Sequence, residues 1–283
     1  FQAEDGIRDS VASRGLGDVY KRQVIGDPID HSLSPKIHKL FAESSGLDIS
    51  YEAIQVEKKD FVLAVTSLFD SGYEGLNITL PLKEDAFNYA NELSEESKLS
   101  GSVNTLWKEG SLICADTTDG RGLVKDLTSK NISLSNLEVV ILGAGGSARA
   151  IIPSLLKEKP SRITIANRTF SKAEQLAKKF SLPDNQLKAV STSQSLDCSP
   201  DLVINTTSAG VLNQEMDLPS NIFSQDTCVY DLSYSSEETS FIMRAKNSGS
   251  NVCYDGIGML IQQAALSFEI WTKHKPHLDL PWP

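Results

Sequence analysis

From Val24 onward the chain alternates short β-rich runs with longer helical stretches, the pattern of βαβ units around a mostly parallel sheet. A helix is predicted over 34–46: a Ser-Pro pair opens it, Ile37, Leu40 and Phe41 give it an apolar side, and Gly46 ends it. A strand over 51–56, a helix over 59–71 and a strand over 75–80 come next. The last is closed by Pro81, which has no N–H for a ladder. Helical stretches near 83–89 and 93–99 lead to strands over 103–108 and 111–115, turned at Gly110.

A helix over 120–129 leads through polar residues 131–136 into the apolar run 139–142, short and unbroken enough for a buried parallel strand. A domain boundary falls near here. The order beyond it is a glycine loop, a helix over 148–157, a strand over 162–166, a helix over 171–180 and a strand over 201–205. Strands near 228–231 and 251–254 complete a second sheet. The apolar helix 259–271 is expected to return to the first domain. The chain therefore reads as α/β, with an N-terminal α/β domain, a Rossmann-type doubly wound domain and a cleft between them.

Composition narrows the classes. At 283 residues the chain is long enough for two domains, and 40% hydrophobic with 23% charged residues is ordinary for a soluble globular protein. A net charge of −10 opposes binding to a phosphate backbone, so no nucleic-acid partner is expected. The four cysteines lack C-x-x-C spacing and read as buried thiols in a reducing compartment; no metal site is implied. No membrane-spanning apolar run and no secretory core appear, and a cytoplasmic protein is expected. Residues 1–23 carry scattered charge without periodicity and look foreign to the rest of the chain. They resemble translated adaptor read-through or a disordered leader, which leaves a first domain over 24–119, completed by 259–283, and a second over 120–258.

The chemistry begins at Gly143-Ala144-Gly145-Gly146-Ser147-Ala148, a G-x-G-x-x-A run between a predicted strand and a predicted helix. Gly143 permits the tight turn, Gly145 lets backbone N–H groups approach a pyrophosphate, Ala148 allows close helix packing, and the helix N-terminus favours an anion. The next strand ends at Asn167-Arg168-Thr169, where an NAD site usually presents a carboxylate to the ribose. Arg168 and Thr169 instead offer donors to a 2′-phosphate, and Lys172 lies one helical turn on, so NADP is the expected cofactor. Asn205, Thr206, Thr207 and Ser208 are expected to flank it at a later strand end.

In the first domain, Ser32, Ser34, Asn77, Thr79, Lys83, Asn104, Thr118 and Asp119 gather at strand ends or loop starts, where ligands of open α/β sheets bind. A Lys or Asp beside a carbinol oxygen can carry the proton that accompanies hydride transfer. Taken alone, Lys83 reads more readily as an exposed helix-start lysine and Asp119 as a helix N-cap.

Five ordered blocks change that balance. Gly26-Asp27-Pro28 with His31-Ser32-Leu33-Ser34-Pro35, Asn77 to Lys83, Gly101 to Thr105, Asp116 to Gly120 and Asp255 to Leu260 resemble the motifs of the shikimate dehydrogenase family, in its order, over Val24 to about Trp271. The resemblance implies NADPH-dependent, reversible reduction of 3-dehydroshikimate to shikimate, a step of the shikimate pathway to chorismate and the aromatic amino acids. It implies that Ser32 and Ser34 bind the substrate carboxylate, that Asn77, Thr79, Asn104 and Gln263 bind ring hydroxyls, and that Lys83 and Asp119 form the acid/base pair. Tyr234 would lie near substrate and cofactor, and Gly256 against the cofactor. The expected state is a monomer or homodimer.

The chain departs from the family at Tyr20-Lys21-Arg22-Gln23, where a shortened first strand is expected to weaken the sheet under Ser32 and Ser34. It departs again at the proline-rich end and at Thr117, where the family commonly has Asn. Hinges are expected at a Gly120 turn and over 254–258. The rival readings are a quinate/shikimate dehydrogenase tolerating NAD, against which Arg168 argues, and a catalytically idle NADP-binding protein, against which Lys83 and Asp119 argue.

Overall fold

A computed structural model describes residues 20–30, 32–181, 187–207 and 217–282; the motif residues His31 and Ser208 lie outside the described residues. The first part of the chain runs β1 (Tyr20–Gly26), α1 (Ser34–Ser45), β2 (Ile49–Gln55), α2 (Phe61–Asp70), β3 (Tyr73–Ile78), α3 (Lys83–Tyr89), β4 (Glu92–Leu93), α4 (Glu95–Ser100), β5 (Thr105–Glu109) and β6 (Leu112–Asp116). Its six strands form one mixed sheet in the order β2-β1-β3-β5-β6-β4, parallel around β1 and antiparallel from β3 through β5 to β6.

Strand alternation gives this sheet two faces. Ile25, Leu76 and Ile78 pack on Phe61, Val65 and Phe69 of α2. The opposite face receives α1 and α9 (Ile257–Thr272), through Ile37, Phe41, Ile261 and Phe268. Helix α9 thus packs on the first sheet, with Trp271 lying so close over Gly75 that a Cβ there would stand 2.6 Å from its indole nitrogen.

The second part runs α5 (Asp119–Ser129), β7 (Glu138–Leu142), α6 (Gly146–Lys157), β8 (Arg162–Asn167), α7 (Phe170–Phe180), β9 (Lys188–Ser191), β10 (Leu202–Asn205), β11 (Cys228–Asp231), α8 (Ser240–Asn247) and β12 (Val252–Tyr254). All pairings are parallel, in the order β12-β11-β10-β7-β8-β9. The chain leaves β7 to one side and returns to β10 on the other, so the crevice at their carboxyl ends is the topological switch point of a Rossmann sheet.

Three expectations are corrected. The central strand β1 begins at Tyr20, not beyond residue 23, and pairs with β2 and β3 over its length, because any residue with an N–H and a C=O can fill a ladder between two strands. The first strand is therefore not shortened; its cost lies in Arg22 and Gln23, polar residues buried where the core is apolar. Gly120 is not an open turn: it lies inside α5, where a Cβ would stand 2.5 Å from Ser154 Oγ of α6. Of the cysteines, only Cys114 is buried; Cys228 and Cys253 are half-buried on the two outermost strands of their edge of the second sheet, and Cys198 is exposed. No helix among the described residues is long and apolar enough to cross a membrane.

The two sheets are joined by helices that cross closely. At Gly122 a Cβ would stand 2.8 Å from the Gln263 backbone nitrogen of α9, and at Gly258 one would stand 2.1 Å from Asp126 Oδ1 of α5. Helix α6 reaches the first part of the chain through Arg149 to Glu84 and through Ser154 and Lys157 to Glu96, the lysine at 2.5 Å.

Candidate active site

The polar ends of β3 and β6 meet α5 and α9 in a single hydrogen-bonded cluster. Lys83 opens α3 just past the turn that ends β3, and Asp119 opens α5 just past β6. Lys83 Nζ donates to Asp119 Oδ2 at 2.5 Å, with only 13% and 8% of the two side chains exposed. Neither residue follows its simpler reading: the lysine is not a solvated helix-start residue, and the aspartate spends both oxygens away from helix capping, Oδ1 accepting from Asn104 Nδ2 at 2.9 Å. Two donors thus converge on one carboxylate.

Asn104 is the hub. Its amide nitrogen also lies 2.8 Å from Thr118 Oγ1 and 3.0 Å from Gln263 Oε1, while its Oδ1 accepts from the Thr118 N–H at 2.9 Å and the Thr105 hydroxyl at 2.8 Å. Asn77, on the neighbouring strand, donates to the Asn104 carbonyl and to Ser267 Oγ, each at 3.1 Å. Its Oδ1 accepts from the Tyr51 hydroxyl at 2.7 Å. Ser34 lies beside Tyr51, and the Ser34 N–H reaches Ser32 Oγ at 3.3 Å. Thr79 sits at the end of β3, its methyl packed where a Cβ on Gly26 would stand 2.3 Å away.

Beyond β11 of the second sheet, Tyr234 lies beside Leu33, between Ser32 and Ser34, and burial, the largest cause, raises its pKa. Asn77, Lys83, Asn104, Thr118, Asp119 and Gln263 thus join one hydrogen-bonded cluster, with Ser32 beside Ser34, Tyr234 beside Leu33, and Thr79 at the end of β3. The sequence reading missed Tyr51, Thr105 and Ser267. Alternation places Tyr51 on the face shared with Ile49, but only the fold brings its hydroxyl to Asn77.

The glycine loop lies at the switch point. Gly143 has φ +100°, and a Cβ there would stand 2.7 Å from Thr206 Oγ1, which itself donates to the Leu142 carbonyl at 2.7 Å. Among the described residues, a Cβ on Gly145 would meet nothing within 4 Å, so toward them the loop is open. Helix α6 starts at Gly146 with no side-chain cap and no acidic residue in its first turn. Its first N–H groups are left for an anion. Ala144, Gly146 and Ser147 line this turn half-buried, and Ala148 is buried beneath it. Arg168, Thr169 and Lys172 are exposed where β8 passes into α7, and Asn167 holds that turn through Nδ2 to the Thr169 carbonyl at 2.9 Å. Gly256 lies buried against β11's exit, where a Cβ would stand 2.1 Å from the Leu232 carbonyl oxygen. An uncapped helix, an open glycine turn and two exposed cations suit a dinucleotide carrying a 2′-phosphate.

These features define a two-domain, dinucleotide-dependent oxidoreductase acting on a small polyhydroxylated substrate. Comparison with known proteins supplies the family. Residues 24–106 match the shikimate dehydrogenase substrate binding domain, residues 125–231 match shikimate / quinate 5-dehydrogenase, and residues 256–279 match the shikimate 5′-dehydrogenase C-terminal domain. The chain is 43% identical over 255 residues to the shikimate dehydrogenase (NADP(+)) of Vibrio atlanticus, covering 89% of this chain and 91% of that protein. It is 44% identical over 259 residues to that of Vesicomyosocius okutanii, covering 91% and 96%. Among solved structures, shikimate 5-dehydrogenase from Thermus thermophilus in complex with NADP(H) and shikimate superposes with a TM-score of 0.82 at 31% identity, over 92% of this chain and 95% of that one. The chain belongs to the shikimate dehydrogenase family.

Proposed function

We propose that this chain reduces 3-dehydroshikimate to shikimate with NADPH, reversibly, as a step toward the aromatic amino acids. The observation that carries the reading is the buried Lys83–Asp119 pair, tied through Asn104 to Gln263 within the family's motifs. Ser32 and Ser34 take the substrate carboxylate with Tyr234 beside them, and Asn77, Thr79, Asn104 and Gln263 take ring hydroxyls. Hydroxyls and amides supply directional bonds at little charge cost.

When bound, NADPH supplies the hydride that adds to the keto carbon. The oxygen left with the electron pair needs one proton. Lys83 is suited to meet it, because an ammonium has three N–H donors and one is given to Asp119. Asp119, accepting from Lys83 and Asn104, holds the lysine side chain in one direction and can accept from the neighbouring substrate hydroxyl. The cofactor would be held by Gly143 to Ala148, Asn167, Arg168, Thr169, Lys172, Thr206 and Gly256.

The substrate domain is taken as 24–119 with 259–283, and the NADP domain as 120–258. A cytoplasmic monomer or homodimer without nucleic-acid or membrane partners is the accompanying reading. The test is a spectrophotometric assay pairing shikimate or quinate with NADP or NAD. Shikimate with NADP is expected to turn over fastest. Equal use of quinate or NAD would overturn the specificity, and no hydride transfer with any pair would overturn the activity.

A further inference from the structure

Between the serines read as the carboxylate subsite and the asparagine read as a ring-hydroxyl subsite stands a residue that none of the five motif blocks contains. Tyr51 lies on β2, the edge strand of the first sheet, on the face covered by α1 and α9. Its ring stacks on His38 of α1 with centroids 4.1 Å apart and planes 6° from parallel, and Trp271 of α9 stands 6.4 Å away. Packed in this way, the ring has little freedom, and its hydroxyl is delivered to one place.

That place is a junction. The hydroxyl donates its single proton to Asn77 Oδ1 at 2.7 Å, with Ser34 beside it. On the far side, the Asn77 amide nitrogen is committed to the Asn104 carbonyl and Ser267. A phenol has one O–H to give and an amide nitrogen two. The Asn77 side chain is therefore oriented by protein donors and acceptors at both ends, with a lone pair of Oδ1 left for a ligand hydroxyl.

We infer that Tyr51 is a positioning residue for the substrate, fixing the Asn77 side chain beside the Ser34 subsite so that Oδ1 is held toward a ring hydroxyl. The inference rests on the reading of Ser34 and Asn77 as substrate-binding residues. It assigns Tyr51 no part in the proton or hydride step.

The test is Tyr51→Phe, which keeps the ring on His38 and removes only the hydroxyl, compared with Ser34→Ala, Asn77→Ala and the Tyr51→Phe/Asn77→Ala double variant. Loss of one ordinary hydrogen bond corresponds to a factor of roughly 3–10. Tyr51→Phe is expected to raise KM for shikimate by about that factor, with kcat and NADP affinity near wild type. In the Asn77→Ala background the further loss is expected to shrink, since the partner is gone. An unchanged KM in Tyr51→Phe, or losses that simply multiply in the double variant, would overturn the role of Tyr51. If Ser34→Ala and Asn77→Ala themselves leave KM for shikimate unchanged, the underlying site reading fails instead.

Discussion

Replacing Gln23 by Met is expected to stabilise the protein. Gln23 sits mid-strand in β1, between Glu52 of β2 and Leu76 of β3, and directly paired residues of a sheet project to the same face. That face is the apolar one carrying Leu76 and Ile78 against Phe61 and Val65. Gln23 is 0% exposed, and neither its amide nitrogen nor its amide oxygen has a partner. A buried polar group left unpaired costs about 1–3 kcal/mol, whereas an apolar side chain of similar volume carries no such penalty. Met has nearly the length and shape of Gln and adapts to irregular gaps. The substitution should therefore gain about 1–3 kcal/mol, raising the melting temperature by roughly 2–12 °C at about 2–4 °C per kcal/mol. All three tryptophans, Trp107, Trp271 and Trp282, belong to the first sheet or the segment packed on it, so tryptophan fluorescence during urea unfolding reports this region. A midpoint unchanged or lowered by Gln23→Met would refute the reasoning, because it would mean the glutamine amide is satisfied in the folded protein.

His38 makes stability depend on pH. Burial, the largest cause, lowers its pKa to about 3, with the Arg22 charge adding to the effect and Asn77 opposing it. The unfolded chain then binds one more proton than the folded chain between about 3 and the ordinary 6.5. The stability present above 6.5 is lost as pH falls through that window, by up to about 1.4 kcal/mol per pH unit from this one group. His38→Phe should flatten the slope in urea unfolding measured from pH 7 downward; an unchanged slope would sink the assignment. At the cofactor, Arg168→Gln should raise KM for NADP by about 10–100-fold, the worth of a charge-assisted bond, while leaving use of NAD nearly unchanged. An equal effect on both cofactors would remove Arg168 from 2′-phosphate recognition.

Much of the second sheet was legible because its core strands are short unbroken apolar runs, as in Val139 to Leu142, and because the glycine turn sits between a strand and a helix. Three elements were not. β9 is a four-residue edge strand in polar surroundings, β4 is two residues long, and α8 is an eight-residue helix whose Thr239 cap is embedded in a run of serines and glutamates. None carries enough local periodicity to stand out. Tyr20 to Gln23 failed for the opposite reason: the side chains are wrong for a central strand, yet the backbone pairs on both sides, and the family match itself begins only at residue 24. At the site, the motif residues were readable as a set, but their wiring was not. That Asn104 would bond Asp119, Thr118 and Gln263 together depends on α9 crossing α5 at Gly122, a contact between residues far apart in sequence.

The central claim is that the Lys83–Asp119 pair carries the proton chemistry of an NADP-dependent reduction. Steady-state oxidation of shikimate by Lys83→Met and Asp119→Asn, with NADP binding followed separately by titration, tests it most directly. The account predicts that kcat falls by about 10²–10⁴ in each variant, the range for loss of general acid–base catalysis, while NADP binding persists. Turnover close to wild type in either variant would contradict it for that residue.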